Sequence, residues 1–158
     1  FMFFTRYVDY SIERDSSIFP AERGHGGYEN FGRAQPSVLS CAAGQIKEFP
    51  ISLGRIFGRN IVFSGGGYFR LLPYRIIQRL TNRSDYVMTY FHPRDFDADQ
   101  PVLDLPLHRR FKSYVGLKDA HGKLDRWLSE NKFVDIEAAD KLVNWDAAPL
   151  VELRSNHA

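Results

Sequence analysis

His92 is the side chain best placed for proton chemistry. It ends Asp85-Tyr86-Val87-Met88-Thr89-Tyr90-Phe91-His92, the most strand-like run in the chain, which Pro93 closes. An imidazole gives or takes a proton near neutral pH, and parallel α/β sheets and barrels display reactive groups at the C-terminal ends of their strands. The plainer alternative is a histidine that terminates a strand and bonds to a nearby carbonyl. Three residues on, Asp95 is within reach of His92 through the turn. Asp95-Phe96-Asp97-Ala98-Asp99 also imitates the opening of a calcium loop. Gln100 stands where that loop needs glycine, and Pro106 where it needs a bidentate glutamate. A solvated loop face is therefore expected.

Gly65-Gly66-Gly67-Tyr68-Phe69-Arg70 is the second constellation. A glycine string between an extended run and a helix permits unusual φ and lets backbone N–H groups approach a ligand. It lacks the Gly-Lys-Ser/Thr ending of a phosphate loop, and Arg70 takes the last glycine place of the dinucleotide pattern. By itself the string is a tight turn. Other chemistry is thinly supplied. The five histidines (His25, His92, His108, His121, His157) show no HxxxH or HxH spacing. His121 and Asp125 sit four apart on the exposed side of a helix. Cys41 is the single cysteine, which excludes an intrachain disulfide and a Cys-based metal site. Ser16 and Ser17 have no Gly-x-Ser-x-Gly context.

The elements that must position these groups alternate. Residues 1–14 suit a short helix, and Pro20 closes the segment after it. Ala21 to Gly44, rich in Gly, Ser, Pro and Asn, reads as a long ordered loop. Ile46–Ile51 and Ile61–Ser64 read as strands, the latter stopped by the three glycines. Pro73 opens a helix over Tyr74–Leu80. The run ending at His92 is apolar on both faces, as in a buried parallel sheet. A short helix is expected over Arg109–Val115, ending at Gly116. Leu117, Ala120, Leu124, Trp127 and Leu128 recur at helical spacing over 117–130, with Asn131 as C-cap. Lys132–Ile136 alternates as a final strand. The class is α/β.

Composition describes one compact domain over 1–158, with 133–158 as a peripheral tail. The chain has 158 residues, 44% hydrophobic and 25% charged, and a net charge of +2. That charge provides no polyelectrolyte drive toward nucleic acid or acidic lipid. No run approaches the ~18 apolar residues that span a bilayer, and no targeting segment is recognisable at Phe1-Met2-Phe3-Phe4. A start on Phe suits a piece of a longer protein. Aromatic residues make up 15% of the chain, enough to pack a core and also to line sugar-binding surfaces.

Five stretches in order carry a resemblance: Asp15-Ser-Ser-Ile-Phe-Pro20, Glu48-Phe-Pro50, Ser64-Gly-Gly-Gly-Tyr-Phe-Arg-Leu-Leu-Pro-Tyr74, Tyr90-Phe-His-Pro93 and Arg110-Phe-Lys-Ser-Tyr-Val-Gly-Leu117. Together they resemble the C-terminal half of NodB-homology polysaccharide deacetylases, in the branch tied to bacterial exopolysaccharide and surface-glycan assembly. The resemblance implies a distorted (β/α) barrel that removes N-acetyl groups from a polysaccharide or oligosaccharide, in the cytoplasm of a bacterium. It implies zinc held by an Asp-His-His set, an aspartate base, and a late-strand histidine that protonates the leaving amine. His92 matches that general acid. On the same footing Gly65, Gly66, Gly67, Tyr68 and Arg70 border the sugar, while Asp15 and Asp95 support the cleft. A salt bridge anchoring the turn is the equal alternative for Arg70, and a structural bond at a strand start the stronger one for Asp15.

The departures are as informative. The Asp-Asp and His-x-x-x-His motifs have no counterpart here, so the chain supplies no zinc ligands. His92-Pro93-Arg94-Asp95 replaces the usual His-Pro-Trp-Glu. A barrel of this type takes roughly 250 residues, which makes a partial barrel the expectation. Its open strand edge would favour a missing N-terminal portion or a second chain as partner. The rival reading is a non-catalytic glycan-binding or scaffold remnant lined by Tyr28, Tyr68 and Phe69.

Overall fold

The computed structural model describes residues 13–20, 28, 31–41 and 44–152. The helix expected near the N-terminus lies almost wholly outside them. In chain order the strands are β1 (Arg14–Asp15), β2 (Ser37–Cys41), β3 (Gly44–Glu48), β4 (Gly54–Ile56), β5 (Arg59–Ile61) and β6 (Leu150–Glu152). The helices are α1 (Gly66–Leu71), α2 (Tyr74–Thr81), α3 (Leu107–Tyr114), α4 (Leu117–Glu130) and α5 (Ile136–Leu142). The class is mixed α/β. Two compact units divide the chain, Phe1–Ile51 with Val134–Ala158, and Ser52–Phe133.

The first unit carries a four-stranded sheet in the order β1-β3-β2-β6. β2 and β3 are antiparallel, whereas β1 runs parallel to β3 and β6 parallel to β2. Ile18, Phe31 and Leu39 form its buried core, with Tyr28 and Val151 packed against them. β2 falls inside the stretch expected to be loop. Its serines and cysteine gave it no strand signature. Pairing on both sides makes it a strand, Val38 facing Lys47 on one neighbour and Leu150 on the other. The C-terminal stretch is likewise more than a tail, because it supplies α5 and the sheet strand β6. The strand expected over Lys132–Ile136 does not form. Asp135 instead caps α5, its carboxylate accepting the Ala138 N–H at 2.7 Å.

The second unit opens with the β4–β5 hairpin, whose turn residues Phe57 and Gly58 both have positive φ, 47° and 78°. That geometry matches the twist of a two-residue hairpin turn. Ile61, Phe63, Phe69, Ile77 and Trp127 are the buried core, surrounded by Leu80, Phe91, Leu124 and Phe133 among others. Helices α2 and α4 stand where their spacing predicts them. Trp127 also donates its indole N–H to Thr81 Oγ1 at 3.0 Å, joining the two.

The run ending at His92 is extended but builds no ladder. Its single bridge is a parallel one between Gly65 and Tyr90. Two serine hydroxyls take the place of strand neighbours. Ser52 Oγ accepts the Met88 N–H at 2.7 Å and donates to the Tyr86 carbonyl at 3.4 Å, while Ser64 Oγ donates to the Met88 carbonyl at 2.7 Å. Among the described residues no closed barrel forms.

Candidate functional site

The site is built on the meeting of Gly65 with Tyr90. Gly65 is extended, at φ −167° and ψ 162°, and any side chain there would collide with the Tyr90 carbonyl. The absent Cβ is what lets the two segments touch. Next to it, Gly66 takes φ +52° and starts α1. Tyr90 donates its N–H to the Ser64 carbonyl at 3.2 Å. Two residues beyond this bridge the chain delivers His92.

Asp95 then holds the His92 backbone. Its Oδ2 accepts the His92 N–H at 2.9 Å, and its own N–H donates to the His92 carbonyl at 2.8 Å, closing the short 3-10 turn Pro93–Asp95. The imidazole itself is exposed and meets the Tyr90 ring edge to face, centroids 4.9 Å apart. An imidazole open to solvent on a fixed backbone has the placement that general acid–base chemistry uses.

The other oxygen of Asp95 faces Arg70. Oδ1 lies 3.6 Å from Arg70 Nη2, and both side chains are buried. The guanidinium also donates from Nη1 to the Ser113 carbonyl at 2.8 Å and from Nη2 to the Lys112 carbonyl at 3.0 Å, at the C-terminal end of α3. Burial pushes the Arg70 pKa down, Asp95 pushes it back up and Arg94 lowers it again. Of the two roles expected for Arg70, sugar contact and anchor, these contacts serve the second, tying α1, α3 and the His92 turn together.

Lys123 is a positioning residue that no motif announced. Its ammonium donates to the carbonyls of Phe69 (3.1 Å), Arg70 (2.8 Å) and Leu72 (2.8 Å), satisfying the end of α1. Burial lowers its pKa against the opposing pull of Asp119. Only its place on the inward edge of the 117–130 helical pattern hinted at it.

The remaining expected residues divide. Gly66 and Gly67 are half-buried and Tyr68 is 40% exposed, so the start of α1 faces solvent. Phe69 is fully buried in the core, edge to face with Phe91 at 4.9 Å and tilted against Trp127 at 5.2 Å. That removes one of the three aromatics on which a glycan-binding remnant would rely. Asp15 belongs to the first unit, where its carboxylate accepts the Ser16 N–H at 2.8 Å and the Ser17 hydroxyl at 2.6 Å. Among the described residues no group of three or more His, Cys, Asp or Glu side chains could hold a metal ion. No helix among them is long and apolar enough to cross a membrane.

A family model described as a domain of unknown function, DUF3473, matches residues 16–141. The chain belongs to this family. DUF3473 domains lie at the C-terminus of polysaccharide deacetylases. No curated protein and no solved structure matches the chain. The DUF3473 match takes in all of the second unit, and with it Gly65, Arg70, His92 and Asp95. It leaves out Asp15 and strand β6.

Proposed function

We propose that this DUF3473 chain is the C-terminal portion of a NodB-type polysaccharide deacetylase with a distorted (β/α) barrel, and that His92 is its general acid. The observation that carries the reading is an exposed imidazole whose backbone is clamped by Asp95 beside the Gly65–Tyr90 bridge. In the reaction, water adds to the acetamide carbonyl carbon and the C–N bond breaks. His92 gives its proton to the departing sugar nitrogen, leaving acetate and a free amine. Gly66, Gly67 and Tyr68 border the N-acetylated sugar, and Arg70 and Asp95 hold the turn that presents His92.

The described side chains supply no set of ligands that fits the zinc of such enzymes. In this reading its ligands come from another portion of the protein or from a second chain. The test is acetate release from an N-acetylated oligosaccharide. The chain with zinc alone should release none. Joined to a polypeptide bearing the Asp-Asp and His-x-x-x-His motifs, it should release acetate at a rate that His92→Gln lowers by about 10²–10⁴-fold. Undiminished release by His92→Gln would overturn the assignment.

A further inference from the structure

Helices α2 and α4 frame an open cleft of about 430 Å³, within the size range of small-ligand pockets. Four arginines line it, Arg75, Arg79, Arg83 and Arg126, against the single acid Glu130. That acid is already satisfied. Arg126 Nε meets Glu130 Oε1 at 2.7 Å, and the Tyr74 hydroxyl donates to Oε2 at 2.7 Å. Hydrogen bonds from Tyr74 and then Arg126 hold its pKa below the ordinary range.

Arg75, Arg79 and Arg83 are exposed and have no ion-pair partner among the described residues. They recur at every fourth position, which stacks them along one side of α2 and its C-terminal turn. Like charges at this spacing oppose the helix that carries them. Arg75 also stands in the first turn, where the helix dipole is itself positive. The described fold offers no compensation for this arrangement, and an oxyanion would.

We propose that this cleft binds an acidic saccharide, its guanidiniums gripping carboxylate or phosphate groups. Planar guanidinium forks match both oxyanions bidentately. A single-stranded nucleic acid would also want an open aromatic face for its bases. The cleft's one ring, Tyr74, is covered instead by Arg126, whose guanidinium carbon lies 4.2 Å from the ring centroid. The choice of a saccharide as carrier of the anion rests on the deacetylase reading, which the cleft extends to a charged substrate class.

The test titrates three probes into the full chain by calorimetry at low salt. They are a hexameric oligogalacturonate, its neutral methyl ester, and a phosphorylated mannose oligosaccharide. At least one of the two acidic probes should bind, weakening as salt rises, and the ester should not. Arg75→Gln combined with Arg79→Gln should reduce that affinity at least tenfold without lowering the melting temperature. Binding by neither acid, equal binding of the ester, or an unaffected double variant would each overturn the inference. So would tighter binding of an oligothymidylate in competition. Acetate release that depends on His92 with no acidic saccharide bound defeats the cleft alone. The reverse pattern defeats the deacetylase reading and leaves the cleft as an anion site.

Discussion

Arg70 and Asp95 form a buried ion pair, 3.6 Å from Nη2 to Oδ1, with 5% and 8% of their side chains exposed. The pair joins α1 to the turn that carries His92. Breaking one partner of a buried pair leaves an uncompensated charge, whereas the carbonyls of Lys112 and Ser113 still hold Arg70. Asp95→Asn should therefore cost roughly 2–3 kcal/mol, below the full range for buried pairs. Asp95→Ala should cost more, because it also strands the His92 N–H. Urea midpoints of the two variants check the order, and equal midpoints for Asp95→Asn and wild type would rule out the pair as an anchor.

Of the glycines in the second unit, Gly65 makes the tightest approach to another backbone segment. A methyl group there meets the Tyr90 carbonyl, which is backbone and cannot rotate away. Gly65→Ala should destabilise by about 3 kcal/mol, the upper end for overpacking. Gly66 has only its φ of +52° against it, with nothing within 4 Å of a Cβ, so Gly66→Ala should cost about 1–2 kcal/mol. Thermal melts of the two variants give the comparison. A milder effect at Gly65 than at Gly66 contradicts the close approach.

Glu48 makes the first unit sensitive to neutral pH. It is completely buried, with Oε1 accepting the Ile18 N–H at 2.9 Å and Oε2 without a partner. Burial pushes its pKa from 4.5 up to about 7, the Ile18 bond opposing and Asp15 adding to the rise. A carboxyl with a raised folded pKa adds stability that is fully present below its unfolded value and is lost as pH climbs through the folded one. Stability should fall by up to about 3 kcal/mol between acid pH and pH above 7. Glu48→Gln keeps an acceptor for Ile18 and removes the charge. Denaturation curves across that window should flatten in the variant, and an equally steep profile would clear Glu48 of the effect.

Asp140 acts in the opposite direction. Arg14 and Lys47 face each other on the parallel strands β1 and β3, and Asp140 lies between them, 2.9 Å from Arg14 and 2.8 Å from Lys47. Hydrogen bonding from Lys47 first, and then from Arg14 against some desolvation, lowers its pKa. That stabilisation is present above the unfolded value of 3.8 and is lost as pH falls through the lowered one. Asp140→Asn should lower the melting temperature at neutral pH, most strongly at low salt, where the two cations repel unscreened. The variant should also lose the wild type's decline at acid pH. A melting temperature equal to wild type in low salt would refute this role.

Local pattern was enough to read the helices at 74–80 and 117–130, because apolar spacing acts within a few residues. It also located His92 at the end of an extended run. The glycine string read as a tight turn, whereas Gly65 is extended against Tyr90 and Gly66–Leu71 is helix α1. What long-range packing decided lies elsewhere. Arg70 reads in one dimension equally well as a sugar contact or as an ion-paired anchor of the turn, and only the burial of Asp95 and the end of α3 against it decides for the anchor. Phe69 reads as a cleft aromatic, but Phe91 and Trp127 enclose it. Ser37–Cys41 reads as loop and becomes a central strand only because β3 and β6 meet it from distant positions. Asp85–His92 reads as the best strand and stays outside a ladder, since Ser52 and Ser64 take its backbone groups. Propensity is a property of neighbours along the chain, whereas burial, pairing and charge compensation depend on neighbours in space.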